Sequence, residues 1–393
     1  MKVLFVHNFY QQFGGEDSAA IAERNLLESH GDEVLCFTRH NDEIKSYSLW
    51  DKAAFIPRTM YSHRTERELR KAVEDFAPSV AFVHNVYPLI SPSLYHTLHA
   101  LRVPIVQVVH DFRPFCPNGW FYIDGEICER CKFGNYLHAV KHRCYKDSYI
   151  LSALYSASLA GNRMAGMTDK VAAYVCLTNF YRQKMLEVGL PEKKLFIRPN
   201  FIDPAAFAPD RSSPGSGEYA LYLGRLSSEK GPLTVLRAFE KLPDVPLKIV
   251  GTGPLEAEMK QYIRDKNLVN VEMVGFKSGA DKWQMIKNAL FAIIPSECYE
   301  NFPMVSLEYF SGGKPIIASN LGGLPHIVEE DKTGMLYRPG DVDHLVEKIR
   351  CMLASPAQIA EMGKRGRELA ETRYGPTESY SSLMNIFAQV RCQ

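Results

Sequence analysis

The sequence predicts two α/β domains of similar size, each built on a doubly wound parallel sheet. The chain has 393 residues, which is more than one ordinary hydrophobic core holds. Apolar runs alternate with segments of helical pattern in both halves. A stretch rich in Pro, Gly, Ser and Ala separates the halves. We therefore expect an N-terminal domain over residues 1–202, a linker over 203–218 and a C-terminal domain over 219–373. A last helical segment, 374–393, is expected to return to the first domain.

The expected strands are runs of apolar and β-branched residues. In the first half they are 2–8, 33–39, 79–85, 104–111, 172–178 and 194–202, and in the second 219–223, 247–250, 271–274, 289–295 and 315–318. Segments with helical periodicity lie between them, among them 17–29, 64–76 and 91–100. Two such domains imply a cleft lined by the carboxyl ends of their strands, where ligands of α/β proteins bind.

The composition is that of a soluble globular protein, with 46% hydrophobic and 23% charged residues. A formal net charge of +1 gives no global basic field, so wholesale nucleic-acid binding is not predicted. The first residues lack the pattern of a secretory signal, and no apolar run is long enough to span a bilayer. We expect a cytoplasmic protein, in which Cys36 and Cys176 act as small buried hydrophobes.

The stretch 295–313, PSECYENFPMVSLEYFSGG, is the predicted centre of the binding site. It follows an apolar strand and leads into a short helix, with Pro303 suited to the first turn. The free backbone N–H groups of such a helix start favour an anion. Glu300 and Glu308 frame the turn and can accept hydrogen bonds from hydroxyls. Phosphate and hydroxyls together are the chemistry of a nucleotide sugar.

Two further turns follow strands. Gly14 and Gly15 precede a helix and would let backbone approach a phosphate, although a plain strand-to-helix turn explains them equally well. Arg225 and Lys230 follow the strand 219–223, where two cations suit the clamping of a diphosphate. The alternative for this pair is two solvated loop cations.

Several short motifs follow one another along the chain. In the second half these motifs are GRLSSEKG, VGTGP at 250–254, VGF at 274–276, SECYENFPMVSLE and GGKPIIASNLGG at 312–323. In the first half they are the paired glycines, VHN at 83–85 and VVHDF at 108–112. These motifs resemble those of the retaining glycosyltransferases of family 4, which have the two-domain arrangement called GT-B. The resemblance covers essentially the whole chain and is stronger in its second half.

The resemblance implies a role for each matching residue. Arg225 and Lys230 would hold the donor diphosphate, Glu308 the ribose hydroxyls, and Glu300 the donor sugar. His110 would reach the donor sugar, while a hydrogen-bonded histidine at a strand end remains its alternative. The implied catalytic set is Glu300, Arg225, Lys230 and His110, and the implied donor-binding set is Gly14, Gly15, Gly253, Phe276, Asn301, Phe302, Pro303 and Glu308.

The expected activity is transfer of a sugar from a UDP- or GDP-sugar to a glycan or a lipid-linked glycan, with retained anomeric configuration. No metal is expected in catalysis, because the Asp341-Val-Asp343 triplet reads as a helix cap. Asn301 stands where the family most often has a small residue, so the donor sugar stays open. A sugar-nucleotide epimerase and a degenerate sugar-nucleotide binder are the alternative functions.

Four cysteines in the insertion 116–144 have spacing that suits a structural zinc site: Cys116, Cys128, Cys131 and Cys144. Reduced loop cysteines are the alternative.

The basic segment 61–76 allows peripheral contact with the inner face of a membrane. Acidic residues in that segment favour a solvated face instead, and the apolar helix 149–165 is expected to belong to the core.

Overall fold

The computed structural model describes residues 1–207 and 217–391 and divides into two compact units. Unit 1 contains Met1–Phe121, Cys128–Pro199 and Ser379–Gln393, and unit 2 contains Tyr122–Ile127 and Asn200–Glu378. Most of the predicted linker, residues 208–216, lies outside the described residues. A short hairpin from the cysteine-containing insertion thus groups with the second unit rather than the first.

Each unit has a six-stranded parallel sheet. In chain order the strands are β1 (Lys2–Phe9), β2 (Glu33–His40), β3 (Val80–Val83), β4 (Ile105–Val109), β5 (Tyr122–Ile123), β6 (Glu126–Ile127), β7 (Ala173–Cys176), β8 (Leu195–Ile197), β9 (Tyr219–Leu223), β10 (Leu247–Val250), β11 (Val271–Gly275), β12 (Ala289–Ile294), β13 (Ile316–Ser319) and β14 (Gly334–Tyr337). The sheet orders are β2-β1-β3-β4-β7-β8 and β11-β10-β9-β12-β13-β14, and β5 and β6 form an antiparallel hairpin. The strand order reverses between β1 and β3 and between β9 and β12, which are the positions where such sheets bind ligands.

Helices connect the strands of both sheets. They are α1 (Gly15–Ser29), α2 (Leu49–Met60), α3 (His63–Phe76), α4 (Ser93–Ala100), α5 (Leu137–Lys141), α6 (Tyr149–Met164), α7 (Asn179–Glu187), α8 (Pro204–Phe207), α9 (Pro232–Glu240), α10 (Glu256–Asp265), α11 (Gly279–Lys287), α12 (Met304–Ser311), α13 (Val342–Leu353), α14 (Pro356–Glu371) and α15 (Pro376–Arg391). The central strands of both sheets, among them β3, β7 and β13, are buried, and for that reason they read as nearly continuous apolar runs. The edge strand β2 is partly exposed.

The last helix, α15, is held in unit 1 by a buried polar network. Arg198 follows β8, is 1% exposed and forms a two-pronged ion pair with Glu23 of α1, at 2.5 and 2.9 Å. Its guanidinium also donates to the carbonyl of Ser379, at 3.0 Å. Phe387 of α15 meets Phe82 of β3 edge to face. Because both guanidinium edges are satisfied, the buried charge fixes where α15 docks.

The structure corrects several details of the sequence-based prediction. The expected strand 194–202 is only Leu195–Ile197, and β14, α2 and the β5–β6 hairpin were missed. Cys36 is exposed, so its predicted burial is wrong, while Cys176 is buried as expected. Pro303 caps α12 instead of lying in its first turn. Within the described residues, no helix has the length and apolar character needed to cross a membrane.

Candidate active site

The predicted cation and carboxylate sets meet at the carboxyl edge of the second sheet. The ammonium of Lys230, in the loop after β9, lies 2.5 Å from Oε1 of Glu300, in the loop after β12. Ser296 donates to the same oxygen, also at 2.5 Å. Burial lowers the pKa of Lys230, but the charge of Glu300 outweighs it, so this pKa stays above its ordinary value. Arg225 is exposed in the same loop as Lys230.

Glycines bring the neighbouring loops into direct backbone contact. A Cβ atom on Gly231 would lie 2.1 Å from the carbonyl oxygen of Pro295, and one on Gly251 would lie 1.9 Å from that of Gly224. A Cβ on Gly253 would lie 2.4 Å from the carbonyl oxygen of Leu226. No side chain fits at these distances, so the GRLSSEKG and VGTGP motifs are glycine-rich because the loops after β9, β10 and β12 pack backbone to backbone.

The loop carrying Glu300 is held from its other side by Gly322 and Gly323. The Gly323 N–H donates to the carbonyl of Glu300 at 2.6 Å. A Cβ on Gly323 would lie 1.9 Å from the carbonyl oxygen of Asn301. Gly323 has φ −80°, which any residue adopts, so the requirement for glycine here is purely steric. Asn301 itself is buried at this contact.

Glu308 lies on α12 and is largely buried. Lys282 of α11 donates to its Oε1 at 2.6 Å, and the same ammonium lies 5.4 Å from the ring centre of Phe207. Sequence reasoning missed Lys282, because a lysine in an otherwise ordinary amphipathic helix carries no motif. The pair keeps a charged acceptor on the helix that leads away from the Glu300 loop.

The segment before α12 is fixed by contacts within unit 2. The Asn200 side chain donates to the carbonyl of Phe302 at 2.8 Å, and the Phe302 ring packs edge to face on Tyr374. Pro303 ends this extended segment with ψ 126°. Phe276, which follows β11, is 66% exposed. Among the predicted donor-binding side chains of unit 2, Phe302 is thus buried and Phe276 is open to a ligand.

The β5–β6 hairpin adds a tyrosine to the edge of this site. The Tyr122 hydroxyl bonds the side chain of Ser228, two residues before Lys230. Burial, followed by the charges of Glu297, Cys298 and Glu229, raises the pKa of Tyr122 to about 12. No sequence signal pointed to this residue, because the hairpin is two residues per strand and lies far away in the chain.

In unit 1, His110 follows β4, is partly buried and contacts the buried His84. Its Nε2 lies 3.0 Å from Nδ1 of His84, and the two rings stack. Burial, with the charge of His7, lowers the pKa of His110 to about 4. The pKa of His84 is also well below its ordinary value because of burial. His110 is therefore a neutral imidazole at neutral pH.

Gly14 and Gly15 lie at the start of α1, also in unit 1. The Gly14 N–H donates to Asp17 Oδ2 at 3.0 Å, and Asp17 Oδ1 lies 2.9 Å from Nε2 of His7. A Cβ atom on Gly14 would meet no atom within 4 Å, so the space beside this backbone is open. Asp17, which the sequence did not predict as a site residue, therefore holds this turn through its carboxylate.

A small cavity of about 50 Å³ lies beside His110. Its polar lining includes Glu16, Asp111 and Arg113. Arg113 lies 2.9 Å from the Asp111 carboxylate and donates to the hydroxyl of Tyr10 at 2.5 Å. Burial raises the pKa of Asp111 despite the nearby guanidinium. This cavity gives unit 1 a mostly apolar recess with charged side chains in its lining, at the carboxyl ends of β3 and β4.

The four insertion cysteines approach one another but do not form a ligand set. Burial, with the charges of Cys116, Cys144 and Cys128, raises the pKa of Cys131 to about 12. All four are free thiols. Across residues 1–207 and 217–391, no group of three or more His, Cys, Asp or Glu side chains is placed to hold a metal ion. The structure thus gives the zinc hypothesis no assembled site, and zinc stays a prediction from the spacing alone.

The Asp341-Val-Asp343 triplet is a helix cap, as its sequence context predicts. Asp341 is the N-cap of α13, and its Oδ1 accepts from the His344 N–H at 2.9 Å. Backbone bonding to His344, followed by the bond from Arg338, lowers the pKa of Asp341. The triplet is therefore used for local structure.

Each unit contains its own part of the predicted set. Unit 2 brings Arg225, Lys230, Gly253, Phe276 and the 300–308 segment to the carboxyl edge of one sheet. Unit 1 places Gly14, Gly15 and His110 at the carboxyl edge of the other. This fold, two Rossmann-like units with polar sites at their switch points, is the GT-B class.

Two family models confirm this class and give the family. The model for Glycosyl transferases group 1 matches residues 206–369, and the model for Glycosyltransferase Family 4 matches residues 21–206. Together the models cover nearly the whole chain. The protein belongs to the group 1 glycosyltransferases.

Named relatives are similar over part of their length. The Mycobacterium tuberculosis glycogen synthase is 27% identical over 301 residues, covering 74% of this chain and 64% of that protein. The Arabidopsis thaliana sulfoquinovosyl transferase SQD2 is 32% identical over 154 residues, covering 38% of this chain and 29% of that protein. The matched regions span less than two thirds of these relatives.

Solved structures share the fold at low sequence identity. Anabaena HepE, in a complex with UDP and glucose, has a TM-score of 0.69 and 18% identity, with 99% of both chains covered. Sucrose-phosphate synthase from Thermosynechococcus elongatus has a TM-score of 0.70 and 18% identity, covering 99% of this chain and 98% of that one. These likenesses establish the fold of the whole chain.

We predict that Gly323→Ala destabilises the protein by about 1–3 kcal/mol, because the added methyl group overlaps the Asn301 carbonyl. Thermal unfolding of the full chain measures the loss. Gly161→Ala in α6 is the matched control, since nothing lies within 4 Å of the added carbon and alanine favours a helix. Equal melting temperatures for Gly323→Ala and the wild type would contradict the backbone packing described above.

We also predict that stability falls as the pH drops from 6.5 to 4. The folded state keeps His110 neutral down to a pKa of about 4, whereas the unfolded state takes up its proton near pH 6.5. One such group contributes up to about 1.4 kcal/mol per pH unit across this window.

The measurement is the pH dependence of the urea-unfolding midpoint. The slope should become shallower in His110→Gln. His63→Gln is the control, since this side chain is 89% exposed, and it should leave the slope unchanged. An unchanged slope in His110→Gln would show that this imidazole is not held neutral by burial.

Proposed function

We propose that the protein is a retaining glycosyltransferase that moves a sugar from a nucleotide-sugar donor to a glycan or a lipid-linked glycan. The observation that carries the proposal is the placement of Lys230, Arg225, Glu300 and Glu308 together at the switch point of the second sheet. Cations and paired carboxylates in one place suit a ligand that has both a diphosphate and hydroxyls. Binding of UDP and glucose by Anabaena HepE, which shares the fold, supports the donor class.

In the proposed mechanism the cations act on the leaving group. Lys230 and Arg225 stabilise the charge that develops on the departing diphosphate. Glu300 is already oriented by Lys230 and Ser296, so its carboxylate is positioned for the hydroxyls of the donor sugar. Breaking the glycosidic C–O bond gives an oxocarbenium-like centre and a nucleoside diphosphate. The acceptor hydroxyl bonds to that centre, and its proton passes to the departing phosphate.

The two glutamates are separate recognition groups in this proposal. A retaining glycosidase holds its two carboxylates about 5–5.5 Å apart, as nucleophile and acid. Here Glu300 is bonded to Lys230 and Glu308 to Lys282, so each carboxylate has its own cation. Glu308 is assigned to the ribose hydroxyls, and Lys282 keeps it oriented for them. A leaving diphosphate requires cations, which the site supplies, rather than a carboxylic acid.

Replacing Lys230 or Glu308 by Ala should reduce the rate of sugar transfer by about 10²–10³-fold, by analogy with the loss of one oxyanion donor. The measurement is release of nucleoside diphosphate in the presence of acceptor. Lys266→Ala, at an exposed lysine paired with Glu240 on the surface of unit 2, is the control and should be fully active. Full activity in either site variant, with binding of donor unchanged, would overturn the assignment.

Transfer should continue in excess chelator, and the product should keep the anomeric configuration of the donor. The physical reason is that two side-chain cations, Arg225 and Lys230, supply the charge that the leaving diphosphate needs. Proton NMR of the anomeric region, recorded with and without chelator, measures both quantities. Strict dependence on manganese, or an inverted product, would contradict the proposed mechanism. Interconversion of the sugar while it is still attached to the nucleotide would support an epimerase instead.

A further inference from the structure

Exposed apolar side chains are concentrated in one short part of unit 1. Among the described residues, six of the eleven large hydrophobic side chains that are exposed lie between residues 133 and 164. They are Phe133, Leu137, Tyr149, Ile150, Leu154 and Met164, and four of them are more than 65% exposed. Single exposed hydrophobics are normal on a protein surface, but a group of this size in 32 residues requires a reason.

Helix α6 shows the same feature in its periodicity. Ile150 and Leu154 face outward. Four of its six buried positions are polar, and the buried set is Ser152, Tyr155, Ser156, Ser158, Leu159 and Asn162. A helix on the surface of a globular unit normally buries its apolar stripe and exposes its polar one. The expectation that this apolar helix belongs to the core is therefore only half right, because Tyr155 and Leu159 pack in a core cluster while Ile150 and Leu154 lie outside it.

The same segment is strongly basic. Residues 130–165 contain six Lys or Arg side chains and a single acidic residue, Asp147. Of these cations, Lys132 is paired with Glu129 and Glu187, which lie outside the segment. Lys141 and Lys146 are exposed. Arg143 pairs with Asp147 and lies 5.7 Å from the ring centre of Tyr149, so cations and aromatic rings are interleaved. We call this surface the apolar-basic face: the six exposed side chains named above together with Lys141 and Lys146.

We propose that the apolar-basic face docks on the surface of an anionic lipid bilayer. Its apolar side chains would enter the boundary between headgroups and acyl chains, while its cations meet the phosphates. Charge complementarity favours this occupant over a second copy of the chain, because two such faces would bring like charges together. Docking is in the plane of the surface, since no helix among the described residues is able to span a bilayer.

The basic helix α3 is a poorer candidate for this contact. Arg64 pairs with Glu68, and Arg70 pairs with Glu66. The helix has four Lys or Arg and four Asp or Glu side chains, so its net charge is balanced, which fits the solvated face that its sequence allows. The membrane-facing surface is therefore assigned to α5, α6 and the turns before them, and the chain offers α3 as an internal control.

The test is flotation of the full chain with vesicles of phosphatidylcholine alone and with vesicles that also contain phosphatidylglycerol. The wild type should float with the mixed vesicles only, and less so at high salt. The double variant Ile150→Gln, Leu154→Gln should lose at least about tenfold in partitioning, because the apolar contact is removed. The double variant Lys141→Gln, Lys146→Gln should lose about fivefold for each cation.

Two control variants make the same kinds of substitution at other sites. Val269→Gln alters an 86% exposed apolar side chain of unit 2, and Arg67→Gln with Lys71→Gln removes two exposed cations from α3. Both should float like the wild type. Failure of the wild type to float, or an equal loss in the α3 variant, would overturn the proposal.

A further measurement separates the bilayer from a second copy of the chain. If light scattering without vesicles shows a dimer that Ile150→Gln, Leu154→Gln converts to a monomer, the face is a protein interface and the membrane assignment is wrong. Hydrolysis of a soluble donor does not involve this face, so it should be unchanged in all these variants. The membrane proposal therefore succeeds or fails independently of the proposed transferase activity.

Discussion

The carboxyl edge of the second sheet depends on backbone meeting backbone without intervening side chains. Gly231, Gly251 and Gly253 allow the loops after β9, β10 and β12 to approach to distances that a Cβ atom forbids. Gly323 does the same for the Glu300 loop. Because the backbones of these loops are in direct contact, the loops have little freedom to move. The side chains that they carry are therefore already oriented when a ligand binds. Every proposed donor contact in unit 2 depends on this packing.

Charge at this edge is arranged in local pairs. Burying Lys230 or Glu300 alone would be costly, whereas the pair satisfies each partner before a ligand arrives. The Lys282–Glu308 pair does the same on α12. A bound nucleotide-sugar donor would then replace the hydrogen bonds within these ion pairs by hydrogen bonds to itself. The side chains are therefore paired both before and after the donor binds. In unit 1, by contrast, burial lowers the pKa values of His84 and His110, so both imidazoles are neutral.

The α6 segment shows that an apolar composition does not decide which face of a helix is buried. A run such as YILSALYSASLAGNRM is apolar enough for a core helix, and composition alone favours that reading. Packing divides the run, because Tyr155 and Leu159 are buried together with the small serines while Ile150 and Leu154 are left outside. The number of apolar residues is a property of the chain, but the face that they occupy depends on which side packs. The paired charges of α3, in contrast, follow directly from its i, i+4 spacing.

The sequence by itself determined the two parallel α/β sheets, their order along the chain and the loops that carry Arg225, Lys230, Glu300 and Glu308. Strand periodicity and turn chemistry are local, so these features are readable without coordinates. Only the tertiary structure decided that Lys282 pairs with Glu308 and that Tyr122 reaches Ser228. Each of these depends on residues distant in the chain coming within a few ångströms. Such contacts are set by packing, for which a single sequence carries no local signal.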